Sequence, residues 1–83
     1  MYKKNTVVDA KKTGKKIKEN MKLAGYSQVQ LARTLGVSDV NVSHWILGRC
    51  YPTLDTFVKL ADLLGVYIDD LIVRCDDDNS REN

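Results

Sequence analysis

The stretch from Ser27 to Gly48, SQVQLARTLGVSDVNVSHWILG, constrains this chain more than any other. Two short amphipathic patterns flank one glycine. Ser27 followed by Gln30 is the S-x-x-Q pairing in which side chains and backbone cap each other at a helix start. Leu31, Ala32 and Leu35 then set one apolar stripe inward. Gly36 stops the helix, because glycine takes the left-handed backbone there at little cost. Val37 follows as an apolar pin. Ser38 caps a second helix, whose inward stripe is Val42, Trp45 and Ile46. Helices this short cannot bury their stripes against each other alone, so the remaining chain must supply a core.

It has the means. The 83 residues suit one domain, near the lower limit for an unaided core, and 43% of them are apolar, too many for a disordered chain. A first helix is predicted from Thr6 or Asp9, either of which can cap it, to Ala24, with Ala10, Gly14, Ile17, Met21 and Ala24 inward. Gly14 lowers helix propensity by about 1 kcal/mol relative to alanine, a cost that close approach of another backbone would explain. After Pro52, Thr53 caps a fourth helix carrying Leu54, Phe57, Val58, Leu60, Ala61 and Leu64, and Asp55 favours its dipole. Most of that helix's circumference is apolar, which makes it central to the core. Gly65 ends it, and a last short helix is expected near Ile68 to Val73. No repeat and no strand pair is expected. The organisation reads as a flexible basic arm at 1–8, a folded unit at 9–74 and a disordered acidic tail at 75–83.

Charge is graded along the chain. Residues 1–25 hold eight lysines against Asp9 and Glu19, a balance of +6. Residues 26–64 balance to 0, with Arg33, Arg49 and Lys59 against Asp39, Asp55 and Asp62. Residues 65–83 carry −4, with Arg74 and Arg81 against five aspartates and Glu82. The gradient is able to steer a polyanion to one end, or it is a solvated face followed by a solubilising tail. The apolar runs are too short to cross a membrane, and the lysine-bearing N-terminus lacks the apolar core of a secretory signal. Cys50 and Cys75 are isolated, without metal spacing, and read as reduced thiols of a cytoplasmic protein ahead of a disulfide. His44 is the single histidine. With Ser43 and Asp39 it shares one helix, so the three cannot converge as a triad. No cofactor, metal, membrane or small-molecule ligand is expected.

The ordered set S-Q-x-x-L-A, L-G-V-S, W-x-x-G, Y-P-T-L, L-A-x-L-L-G-V and D-x-L, at mutually consistent spacings, resembles the Cro/C1-type (XRE-family) helix-turn-helix regulators from roughly Gly14 to Leu71. The resemblance implies an all-α, five-helix, lambda-repressor-like DNA-binding domain whose second and third helices form the helix-turn-helix. It implies that the helix at 38–47 enters the major groove of double-stranded DNA. Its outward positions, Asp39, Val40, Asn41 and His44, then meet base edges. Asn41 suits the adenine N6/N7 edge, Val40 a thymine methyl, Asp39 a cytosine N4 donor and His44 guanine. None is a bidentate arginine, so modest selectivity is expected. Asp39 has the plainer alternative of stabilising its helix N-terminus, which has a slight edge. By the same resemblance Ser27, Gln28, Ser38, Ser43, Arg49 and Tyr51 hold the DNA backbone, with Gln28 at a helix start whose amides can receive a phosphate oxygen. Lys11, Lys12 and Lys15 add long-range attraction or are plain surface lysines. Trp45 belongs to the core.

The chain departs from the family pattern at three points. Many similar proteins pair an arginine late in the first helix with a glutamate before the glycine of the W-E-x-G tetrad. Met21 and Ile46 stand at those positions. Replacing both members of a pair avoids stranding a charge, so the two are expected to touch. Leu47 is apolar where the family is usually polar. Tyr67 stands where a capping hydroxyl is common, which weakens the start of the last helix.

The favoured function is sequence-specific binding of double-stranded DNA by a transcriptional regulator, a repressor acting as a homodimer on a two-fold operator. Half-sites would lie roughly one helical turn, about 34 Å, apart. The Tyr51–Leu54 loop and Val66–Ile68 are the expected dimer patch. The alternative is a protein-interaction module, such as an antitoxin or adaptor on the same fold. An enzyme ranks far behind, because no acid, base or nucleophile set converges.

Overall fold

The computed structural model describes residues 8–75. Four α-helices form from the predicted segments: α1 (Ala10–Leu23), α2 (Gln28–Leu35), α3 (Asp39–Leu47) and α4 (Leu54–Leu64), followed by a 3-10 turn at Ile68–Asp70. Each start is capped as the residue types dictate. Asp9 accepts from the Lys12 amide, Ser27 from Gln30, Ser38 from Asn41 and Thr53 from Thr56. The reciprocal bond at α2, from the Ser27 amide to Gln30 Oε1, is 2.9 Å long and completes the capping box.

The turn between α2 and α3 is tight. Gly36 sits at φ 74°, and its N–H and that of Val37 return to the carbonyls of Arg33 and Ala32. That pattern satisfies the orphan carbonyls at the α2 C-terminus and swings the chain directly into the Ser38 cap.

One core joins all four helices. Ile17 and Met21 of α1, Leu31 and Ala32 of α2, Val42 and Trp45 of α3, and Phe57, Leu60, Ala61 and Leu64 of α4 are buried around Leu71. Leu35 and Ile46, expected on the inward stripes, are half-buried against this cluster. Met21 and Ile46 thus belong to one apolar cluster. Gly14 marks where α1 crosses α3. A methyl group there would lie 2.9 Å from the Ile46 carbonyl carbon and closer still to the Trp45 and Ile46 oxygens. The close approach offsets the propensity cost.

Five expectations are corrected. Ala24 is the exposed C-cap of α1, not part of its inward face. The apolar girth of α4 is only partly core, for Leu54 is 73% exposed and Val58, one turn on, 50%. The fifth helix shrinks to one 3-10 turn. Tyr67 offers no side-chain cap, only its amide to Asp70 Oδ2 at 3.0 Å, and past Leu71 the Val73 amide is taken by Thr13 Oγ1 at 3.0 Å instead of a helical carbonyl. Among the described residues there is a strand pairing, an antiparallel bridge between Val8 and Arg74. Val8, assigned to the flexible arm, is therefore held. The rest of the arm (1–7) and of the acidic tail (76–83) lies outside the described residues.

Candidate nucleic-acid interface

The first turn of α3 faces solvent. Asp39, Val40 and Asn41 are exposed, Val40 by 59%, while Val42 and Trp45 on the opposite side are buried. With 42 and 45 fixed inward, helical geometry sends 40 to the far side, while Asn41, one turn before Trp45, lies on the flank and is exposed at the open first turn. Ser43 and His44 are half-buried at the edge of that face. Among the described residues no partner holds the Asn41 amide group or the His44 imidazole, so both retain their donors and acceptors.

Beside this turn lies the start of α2. The Gln28 Nε2 donates to Asp39 Oδ1 at 3.4 Å, tying the two helix N-termini together. Asp39 therefore has a local donor and occupies the first turn of α3, where a negative charge favours the helix dipole. That arrangement favours the structural over the base-reading role for Asp39. Ser27 and Ser38 accept amide hydrogens in their caps, yet each hydroxyl keeps its own proton for an outside acceptor. Two exposed cap hydroxyls and two adjoining helix N-termini make an edge suited to oxyanions.

Beyond α3 the chain turns at Gly48, and the Arg49 amide returns to the His44 carbonyl at 2.8 Å. Arg49 is exposed, and no carboxylate among the described residues pairs with it. Tyr51 departs from expectation. Its hydroxyl donates to the Val8 carbonyl at 2.8 Å. The phenolic proton is committed within the chain, so in this arrangement Tyr51 straps the N-terminal segment and has no hydrogen to give a phosphate. Cys50 and Cys75 are free, exposed thiols. No metal-ligating cluster and no helix long and apolar enough to cross a membrane occurs among the described residues.

Sequence reasoning passed over Thr13. It is 2% exposed and holds the Val73 amide. Its signal was positional: it lies one turn before Ile17 and two before Met21, on the inward side of α1.

A small helical scaffold that turns one short helix outward beside a second helix N-terminus defines a helix-turn-helix domain. The chain belongs to the helix-turn-helix family of the Cro/C1 type, whose pattern matches residues 17–71. It is 34% identical over 70 residues to the HTH-type transcriptional regulator ImmR of Bacillus subtilis, covering 84% of this chain and 54% of that protein. It is 34% identical over 71 residues to the cryptic phage CTXphi transcriptional repressor RstR of Vibrio cholerae, covering 81% of this chain and 63% of that protein. The chain thus spans roughly half to three-fifths of the length of these relatives. The crystal structure of the restriction-modification controller protein C.AhdI from Aeromonas hydrophila is similar to it, with TM-score 0.70 and 28% identity over 76% of this chain and 96% of that one.

Proposed function

We propose that this protein is a DNA-binding transcriptional regulator, a repressor, that reads its operator with the first turns of α3. The observation that carries the reading is the exposure of Val40 and of Asn41, whose side-chain amide has no partner among the described residues, between groups able to hold oxyanions. On one side stand the Ser27 and Ser38 hydroxyls and the α2 N-terminus, and on the other Arg49. Backbone contacts of this kind fix register and supply most of the affinity, while the side chains between them discriminate bases. The names of ImmR and RstR, a regulator and a repressor, support the same assignment.

One domain of this size reads one half-site, so the active species is a homodimer on a two-fold operator. The exposed Leu54 and Tyr67 lie within the two segments assigned to the dimer patch.

Selection of bound duplexes from a random pool tests the reading. The wild-type chain is expected to enrich a two-fold sequence, with Asn41→Ala and Val40→Ala each relaxing preference at separate positions. Unchanged preferences in both variants would remove these residues as base readers. Binding that ignores salt would instead favour a protein partner, because phosphate contacts weaken steeply as salt rises.

A further inference from the structure

Three hydrogen bonds gather at the start of α1. The Asp9 amide donates to the Val73 carbonyl at 2.7 Å, and the Val73 amide donates to Thr13 Oγ1 at 3.0 Å. The first of these bonds belongs to the antiparallel bridge that sets Val8 opposite Arg74. The Val8 carbonyl then accepts the Tyr51 hydroxyl at 2.8 Å. The links join three places far apart in sequence: the segment entering α1, the segment leaving Leu71, and the loop that follows α3. Packing reinforces the junction. A methyl on Gly48 would lie 2.8–3.0 Å from the Cγ, Cα and amide nitrogen of Lys11, so the first turn of α1 sits directly on the end of α3.

Burial distinguishes the parts. Thr13 is enclosed, with its hydroxyl aimed at one backbone amide. Without that hydroxyl the part-buried Val73 amide would lose its partner within the chain. Tyr51 is 49% exposed, so its hydroxyl bond is not needed to fill the core. A long side chain reaching over the surface to one carbonyl restricts the loop that carries it. Arg49 stands two residues before Tyr51 in that loop, its side chain unpaired among the described residues.

We propose that Thr13 and Tyr51 are positioning residues for the DNA-backbone contact of Arg49, and that through them the segment at Val73–Arg74 sets the affinity of the α3 face. The inference rests on the DNA-binding reading above. In this arrangement Thr13 holds Val73, the extended pairing holds Val8, Val8 holds Tyr51, and Tyr51 fixes the loop that presents the guanidinium. Whatever displaces the chain beyond Leu71 loosens the grip on DNA without touching a base-reading side chain.

The test uses the full chain and a duplex that the wild-type protein selects from a random pool. Tyr51→Phe removes one hydroxyl and no charge. The expected result is a loss of about 2- to 10-fold in affinity, the scale of one hydrogen bond. The salt dependence is expected to flatten by about one phosphate contact, as it does in Arg49→Ala. A neutral substitution that flattens the salt slope reports a displaced charge, which a merely structural role would not produce. In the Arg49→Ala background Tyr51→Phe is expected to have no further effect, and base preferences stay as in wild type throughout. Thr13→Val is expected to act like Tyr51→Phe, with Thr13→Ser restoring both affinity and slope. If Thr13→Val does not fold, the exposed Tyr51 variant still decides. Wild-type affinity and slope in Tyr51→Phe, or equal losses with and without Arg49, would overturn the proposal and leave the DNA-binding reading intact. A wild-type chain that selects no duplex would overturn both.

Discussion

The Gln28 amide reaches from the first turn of α2 to the Asp39 carboxylate at the first turn of α3, Nε2 to Oδ1 at 3.4 Å. The contact places a negative charge on the very edge where phosphates would lie. Two consequences compete. The charge favours the α3 dipole by about 0.3–1 kcal/mol, and it repels a phosphate by about 1 kcal/mol at exposed distances. Asp39→Asn keeps an acceptor for Gln28 and removes the charge. It is expected to lower stability by about 0.5 kcal/mol while raising affinity several-fold on selected and scrambled duplexes alike. If Asp39 instead reads a cytosine, affinity will fall on the selected duplex alone. Parallel titrations of the two duplexes separate these outcomes.

Glycines at like backbone angles offer a controlled comparison. Gly48 and Gly65 both end helices in the left-handed region, at φ 78° and 73°. Around Gly65 nothing lies within 4 Å of an added methyl, whereas at Gly48 that methyl meets the Lys11 backbone. Gly65→Ala therefore carries backbone strain alone, about 1–2 kcal/mol. Gly48→Ala adds the overlap, another 1–3 kcal/mol or so, and pushes α1 away from the end of α3. Urea midpoints are expected to fall in the order wild type, Gly65→Ala, Gly48→Ala. Equal midpoints for the two variants would mean that α1 yields at no cost and that its seat on α3 is soft.

These comparisons also show what could be read in advance. The caps at Ser27, Ser38 and Thr53 and the inward positions of Val42 and Trp45 were legible, because they follow from local chemistry and helical period, whereas local chemistry left Thr6 and Asp9 equal as the first cap. The outward placement of Val40 follows from the same period. What escaped is non-local. Nothing near Tyr51 tells that its hydroxyl is claimed by Val8, 43 residues away. Nothing near Ile68 tells that Thr13 will take the Val73 amide and stop a fifth helix after one turn. Composition also misled at α4, where leucine and valine on an outer face look the same as leucine and valine in a core.

Met21 and Ile46 share the central apolar cluster, at positions where many similar proteins carry an ion pair. Met21 is 5% exposed, so Met21→Arg alone places a charge where water does not reach and is expected to cost about 3–5 kcal/mol. Adding Ile46→Glu supplies the missing partner. The double variant is expected to recover at least half of that loss, a coupling of about 2 kcal/mol in a double-mutant cycle by chemical denaturation. Additive losses would place the two side chains out of reach of each other and shift the register inferred for α1 against α3.

The exposed face of α4 bears on assembly. Leu54 and Val58 lie one turn apart, 73% and 50% exposed, and Tyr67 is 81% exposed. Covering one leucine contributes about 1.5–3 kcal/mol, and a two-fold interface counts it twice. Leu54→Asp leaves the core untouched, so its thermal midpoint should stay within a few degrees of wild type. Its dimer dissociation constant should rise by about 10²-fold or more. Operator affinity should fall in step, because each half-site would then be bound by a separate molecule. Sedimentation velocity across a concentration series reads the first effect, and titration of one half-site against two reads the second. A variant that dimerises like wild type would move the interface off α4, and a wild-type chain that stays monomeric on its selected duplex would remove the dimer altogether.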